Sequence, residues 1–152
     1  MIDLQAHKNH IEYEKAIVNI ATATEKGKTY RMINDFKYSV TKVRIDGGVF
    51  TQTLCCDFLF LTRTVTNNKF KNESAYLIEL KGTNVKHAID QIESTIKKLK
   101  FTNKEFILKA RIVAAKGIPL PLRPANCLTL DERLRKQGGD LLCKTNLLEE
   151  RV

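Results

Sequence analysis

Two apolar runs, "TLCCDFLFLTRTV" (53–65) and "AYLIELK" (75–81), constrain this chain more than any other feature. A strand that is apolar at nearly every position has both faces covered, so these two belong in the middle of a sheet with layers on either side. Both runs carry charge where an apolar strand should have none. Asp57 falls near the start of the first, and Glu79 and Lys81 fall at the end of the second. Side chains two apart on a strand share a face, so Glu79 and Lys81 project together. The polar stretch "TNNKFKNES" (66–74) reads as an exposed hairpin that pairs the two strands. That pairing brings Asp57 to the end of the sheet that holds Glu79, and two carboxylates converge beside one ammonium.

The rest of the chain supplies the layers. Residues 7–25, "HKNHIEYEKAIVNIATATE", read as a helix. On a helical wheel His10, Ile11, Ala16, Ile17, Val18, Ile20 and Ala21 form a broad apolar arc, with Lys8, Glu12, Lys15 and Asn19 opposite. Glu14 falls inside the apolar arc. Residues 27–36 read as a loop, and "KYSVTKVRIDGGVF" (37–50) as a strand ending in a turn at Asp46-Gly47-Gly48. "NVKHAIDQIESTIKKLK" (84–100) is an amphipathic helix, with Ala88, Ile89, Ile92, Thr95, Ile96 and Leu99 on one face and lysines in its last turns. "EFILKARIVAA" (105–115) is a further strand, and "KGIPLPLRPAN" (116–126), with all three prolines, a surface loop. Thr129 and Glu132 stand at capping-box spacing before a short helix that closes in glycines, and 140–152 reads as one last strand. The expectation is a single α/β domain over 1–152, with a core over about 7–115 and a C-terminal extension over 116–152.

Composition narrows the class. With 152 residues, 43% of them hydrophobic and 28% charged, the chain suits one globular domain with a substantial core. No apolar run reaches the length of about 18 residues that a membrane span needs, and the N-terminus has no signal-peptide pattern, so an intracellular (cytoplasmic) protein is expected. Cys55, Cys56, Cys127 and Cys143 form no CxxC pair and lie far in sequence from the three histidines, so buried thiols in a reducing compartment are expected rather than a zinc site. The net charge of +9 favours an anionic partner, of which nucleic acid is the commonest.

Two carboxylates at one point repel unless a cation lies between them. Hard oxygen ligands without His or Cys suit Mg²⁺. Mg²⁺ in turn suits hydrolysis of a phosphodiester, with Lys81 placed to hold the attacking water or to stabilise charge on the phosphate.

"CDFLFL" (56–61) followed by "AYLIELKG" (75–82) resembles the D-(x)n-E-x-K signature of the PD-(D/E)XK nucleases. The resemblance implies a restriction-endonuclease-like αβββαβ core, a central mixed sheet flanked by helices, with a small helix and strand appended at the C-terminus. It implies one or two Mg²⁺ ions, replaceable by Mn²⁺, bound by Asp57, Glu79 and the carbonyl of Leu80, with Lys81 as the family lysine. The signature has proline before the aspartate, where this chain has Cys56. Many members carry a metal-directed glutamate on the first helix, a role that fits Glu14 better than Glu12; a salt bridge at the core's edge is the other reading of Glu14. Gln91 matches a glutamine found on the helix after the lysine in some members, and reads equally as a polar residue flanking the apolar face. Asp46 reads as an ordinary turn residue.

Phosphate contacts need cations around the metal. The candidates are Lys42, Arg44, Lys69, Lys71, Lys86 and Arg123, with Arg133, Arg135 and Lys136 beyond them. No sequence-reading motif is visible. A nuclease of this size would read shape or ends, form a homodimer, or be delivered by a partner protein. DNA is the expected substrate, and a catalytically inert nuclease-fold protein that binds nucleic acid or a protein is the alternative.

Overall fold

The structure, a computed structural model, describes residues 5–66, 69–101, 106–116 and 124–152. After a 3₁₀ segment (Gln5–His10) come strands β1 (Ile11–Ala16), β2 (Ile20–Glu25), β3 (Lys28–Ile33), β4 (Ser39–Arg44), β5 (Phe58–Thr66) and β6 (Lys69–Leu80). Helix α1 (Val85–Lys98), β7 (Ile107–Ala114), α2 (Ala125–Arg135), β8 (Asp140–Thr145) and β9 (Leu147–Arg151) complete the order. The chain is α/β. A mixed six-stranded sheet, β1-β4-β5-β6-β7-β8, forms its centre, and β2-β3-β9 form a second, smaller sheet.

The central pairings follow from the two apolar runs. β5 and β6 pair antiparallel, with Phe58 opposite Ile78 and Phe60 opposite Tyr76, and β7 lies parallel to β6 on its other side. Alternate residues serve two cores. Leu59, Leu61, Ala75, Leu77, Ala110 and Ile112 pack under α1 and α2. Phe58, Phe60, Tyr76, Ile78, Leu80 and Val113 pack against the small sheet. Both strands are therefore covered on both faces, but only one cover is helical.

The expected helix over 7–25 is absent, and the αβββαβ order lacks its first element. The stretch forms β1 and β2 instead, and the expected loop 27–36 contains β3. The reason lies in "IATATE": Ala21 and Ala23 are buried while Ile20 is exposed, a period of two rather than 3.6. Two small alanines let the small sheet approach the central one, where the Tyr30 ring meets Phe60 edge-on at 5.6 Å between centroids. β-branched residues at 17, 18, 20, 22 and 24 favour the strand as well.

Three boundaries also differ. The hairpin expected over 66–74 is mostly ladder, paired out to Thr66 opposite Lys69. α2 starts at Ala125 behind Pro124, so Thr129 lies inside it and its hydroxyl bonds the Ala125 carbonyl at 3.0 Å instead of capping. The tail forms two strands, β8 parallel to β7 and β9 parallel to β3, so residues 140–151 complete both sheets rather than extend them. Most of the proline loop, including Arg123, lies outside the described residues. α1 is as expected, capped by Asn84, whose Oδ1 accepts the His87 N–H at 2.9 Å. Among the described residues no helix is long and apolar enough to cross a membrane.

Candidate functional site

An acidic cleft of about 340 Å³ opens where β5 begins and β6 ends. Continuing the register beyond Phe58 and Ile78 sets Asp57 across from Glu79, and their groups interlock. Asp57 Oδ2 accepts a 2.7 Å hydrogen bond from the backbone N–H of Leu80, and the Asp57 backbone N–H bonds the Glu79 carboxylate. Lys81 Nζ stands 3.8 Å from Glu79 Oε1. Asp57, Glu79, Leu80 and Lys81 meet as their spacing predicts.

Helix α1 fixes the backbone leading into Asp57. Ser94 Oγ and Lys98 Nζ donate to the Leu54 carbonyl at 2.7 and 2.8 Å. Gln91 Nε2 donates to the Cys55 carbonyl at 2.9 Å. Thr95 Oγ1 accepts the Cys56 N–H and donates to the Gln91 carbonyl, both at 2.8 Å. Three successive backbone positions are held by one face of a helix, which gives Asp57 the rigidity of that helix. Gln91 is thus both a staple and a lining residue of the cleft.

Two further acids line the cleft: Glu25, at the end of β2, and Asp46, in the turn after β4. Asp46 is held where the chain turns tightly: a Cβ at Gly48 would come within 2.4 Å of the Arg44 carbonyl oxygen, so only glycine fits there. The crowding shows in the acid strengths. Burial pushes the Asp57 carboxyl up to about 6 against the lowering effect of the Leu80 N–H, and Glu25 and Asp46 push it the same way. Burial, then the Asp57 charge, pushes Glu79 up to about 8, with Lys81 acting in the opposite direction. Glu79 is 1% exposed and Asp57 9%.

Three acceptor atoms, Glu25 Oε2, Glu79 Oε2 and Gln91 Oε1, are buried without a hydrogen-bond partner, and all three residues line this cleft. Buried acceptors in want of a donor are costly. Arg44 lies 3.7 Å from Glu25 Oε2, an ion pair too long for a hydrogen bond. Two carboxylate oxygens and one amide oxygen, none with a hydrogen-bond donor, form an all-oxygen set that fits a hard cation such as Mg²⁺. No group of three or more His, Cys, Asp or Glu side chains among the described residues is arranged to hold a metal ion; the ligand set implied by the resemblance needs only two carboxylates and one carbonyl.

Other expected site residues lie elsewhere. Glu14 is exposed on β1, not on a helix, and does not line the cleft; Glu25 of β2 is the acid from the N-terminal region that does. Lys42 is committed to Glu12 and lies over the Phe58 ring, 5.0 Å from its centroid. Arg44 is shared between Glu25 and the Asp46 carbonyl. The backbone of Lys71 is eight residues up β6 from Glu79, roughly 26 Å at about 3.3 Å per residue, and Lys69 is farther still. Lys86 is exposed on α1 and is not a lining residue. Arg133, Arg135 and Lys136 pair with Glu93, Asp131 and Glu132. The cations that do line the cleft are Lys81 and two that the sequence reading missed, Lys26 and Lys28. Their signal was the strand–turn–strand pattern "IATATE-KG-KTYRMI", which also places Glu25 at a strand end. None of the four cysteines is in a disulfide; Cys55, Cys56 and Cys127 are buried, and Cys143 is half-buried.

Compared with known proteins, the chain finds no counterpart: no family model, no curated protein and no solved structure matches it.

Proposed function

We propose that this chain is a Mg²⁺-dependent nuclease of the PD-(D/E)XK type, with DNA as the expected substrate. The observation that carries the reading is the cleft itself. The Asp57 carboxylate takes the Leu80 N–H, the Glu79 carboxylate takes the Asp57 N–H, Lys81 stands beside Glu79, and the lining acids Glu25 and Glu79 each keep a buried oxygen without a hydrogen-bond donor. The strand order β4-β5-β6, then α1, then β7 parallel to β6 matches the βββαβ part of the family core. The first helix of that core is replaced here by strands.

Asp57, Glu79 and the Leu80 carbonyl would hold Mg²⁺, with Glu25 in the place expected of Glu14. When bound, the cation supplies charge for the phosphate and lowers the pKa of a coordinated water. Lys81, half-exposed at the rim, orients the attacking water and offsets charge that builds on the phosphate. The Leu80 N–H keeps the Asp57 carboxylate aimed at the cleft. α1 keeps Asp57 from drifting, because a small displacement of a positioned group lowers the rate steeply.

A second reading, an inert member that binds nucleic acid or a partner protein, is favoured by one observation: among the described residues no group of three or more His, Cys, Asp or Glu side chains is arranged for a metal. One experiment decides between them. Plasmid, linear duplex DNA, single-stranded DNA and RNA are incubated with the protein in Mg²⁺, Mn²⁺ or EDTA. The nuclease reading expects cutting with either cation, none in EDTA, and none from Asp57→Asn or Lys81→Ala. Binding of nucleic acid without cutting in any cation selects the inert reading, and cutting by both variants at the wild-type rate removes the assigned site.

A further inference from the structure

The small sheet brings one feature to the cleft that neither the nuclease signature nor the central sheet contains. β2 and β3 are joined by the two residues Lys26 and Gly27, with Glu25 opposite Lys28 across the ladder. Both turn residues have positive φ, 47° at Lys26 and 74° at Gly27, which is the type I′ geometry of tight hairpins. Gly27 suits its position. Lys26 does not: the first position of such a turn favours Asn, Asp or Gly, and a lysine there is held in a left-handed conformation that its Cβ disfavours. Its side chain is 84% exposed and 4.0 Å from Glu25. Lys28 Nζ donates to the Lys26 backbone carbonyl at 3.1 Å, which places the Lys28 ammonium on the turn that carries Lys26. Both line the cleft together with Asp57 and Glu79.

A poor turn former at a strained position, with its charge at the mouth of an acidic cleft, reads as a residue kept for what it binds. We propose that the Lys26–Lys28 hairpin grips the phosphate backbone of the nucleic acid next to the cleaved bond. The two ammonium groups take phosphate oxygens of the nucleotides flanking the cleft, while Asp57, Glu79 and Lys81 face the reacting phosphate. The hairpin is thus a binding and positioning element built from the second sheet. This inference rests on the nuclease reading for its substrate, but not for its physics. Lysine–phosphate contacts release counterions, and each lost contact lowers the slope of log affinity against log salt by about 0.7 to 0.9.

The test compares wild type, Lys26→Asn, Lys28→Gln and, as a control far from the cleft, Lys136→Gln. Each full-length protein is titrated with a labelled 12-nucleotide single strand and with a 12-base-pair duplex between 50 and 200 mM NaCl. Ca²⁺, a hard cation of the same charge, replaces Mg²⁺. Cleavage is followed separately in Mg²⁺, and melting temperature is recorded for all four. Lys26→Asn and Lys28→Gln are expected to weaken binding several-fold, to reduce the salt slope by close to one contact each, and to raise KM with little change in kcat. Lys136→Gln should leave all three unchanged. Lys26→Asn should melt at the wild-type temperature or above it, because asparagine suits the turn. Wild-type salt slopes in both hairpin variants, or an equal loss in Lys136→Gln, would overturn the hairpin's role while leaving wild-type cleavage, and the nuclease reading, intact. Wild-type binding without cleavage, with slopes reduced in the hairpin variants, would retain the grip and remove the nuclease. A wild type that neither binds nor cuts removes both.

Discussion

Asp57 accepts a 2.7 Å hydrogen bond from the backbone N–H of Leu80, the residue between Glu79 and Lys81. One carboxylate is thereby locked to the backbone of the strand that carries the other acid and the lysine. The two strand ends that form the cleft act as one unit, and under the nuclease reading the contact has both a structural and a functional role. The two roles can be separated. Asp57→Asn retains an oxygen for the Leu80 N–H but removes the charge, whereas Asp57→Ala leaves a buried N–H without a partner, at a cost of about 1–3 kcal/mol. Both variants should lose cleavage, but only Asp57→Ala should melt at clearly lower denaturant. Equal stability losses in the two would show that the bond to Leu80 contributes nothing.

The two acids also set the pH dependence of folding without a cation. Both carboxyls titrate higher in the folded chain than in the unfolded one, Asp57 at about 6 and Glu79 at about 8. The folded state therefore holds more protons than the unfolded state between about pH 4 and pH 8, and its stability falls as pH rises through that window. In EDTA the melting temperature of wild type should drop from pH 5 to pH 8.5 relative to Glu79→Gln, which lacks the more strongly shifted group. Saturating Mg²⁺ should reduce the drop, since a cation that binds the ionised acids stabilises the fold by about 2.7 kcal/mol at one hundred times its Kd. A wild-type curve parallel to that of Glu79→Gln in EDTA would mean that Glu79 is not strained by its burial.

Asp57, Glu79 and Lys81 were legible because each interrupts an otherwise apolar strand, and the topology that joins them follows from strand pairing alone. Gln91 was legible as a polar residue beside an apolar helix face. Glu25, Lys26 and Lys28 were hidden because residues 7–25 satisfy two periods. A helical wheel gathers Ile17 and Ile20 into an apolar arc, yet both are more than half exposed, at 64% and 54%. The alternation that wins has alanine as its buried member, and alanine is a weak apolar signal on any scale. The acid that reaches the cleft is consequently eleven positions beyond Glu14, the one that the wheel selected. Lys42 and Arg44 were correctly placed on a strand, but their pairing with Glu12 and Glu25 depends on β1 and β2, which the wheel had turned into a helix.

Thr95 tests whether α1 positions the site. Its hydroxyl receives the Cys56 N–H and gives its own hydrogen to the Gln91 carbonyl. Thr95→Val keeps the shape and leaves the Cys56 N–H unpaired in the core, for a loss of about 1–3 kcal/mol. If the segment before Asp57 depends on this staple, kcat should fall about tenfold or more at temperatures where the variant is fully folded, with KM little changed, because the reacting geometry loosens while the hairpin lysines are untouched. A stability loss with unchanged kcat would confine Thr95 to the fold.

Arg111 links the far end of the chain to the cleft. It is 1% exposed on β7, where its guanidinium bonds both oxygens of Glu150 on β9 and lies 3.0 Å from Asp140 Oδ1. Tyr30 of β3 donates to the same Glu150 at 2.8 Å. β9 runs parallel to β3, and β3 pairs with β2, which ends in Glu25. Arg111→Met would leave Glu150 as a largely buried carboxylate without its cation, a change that costs about 3–5 kcal/mol in comparable pairs. Arg111→Met with Glu150→Leu removes both charges and should recover most of that loss. Because β9 braces the sheet that carries the Lys26 hairpin, Arg111→Met should also speed hydrogen exchange across β2 and β3 more than across β5 and β6, whose ladder has its own core under α1. Equal acceleration in both sheets would show that the ion cluster stabilises the domain globally and does not brace the hairpin in particular.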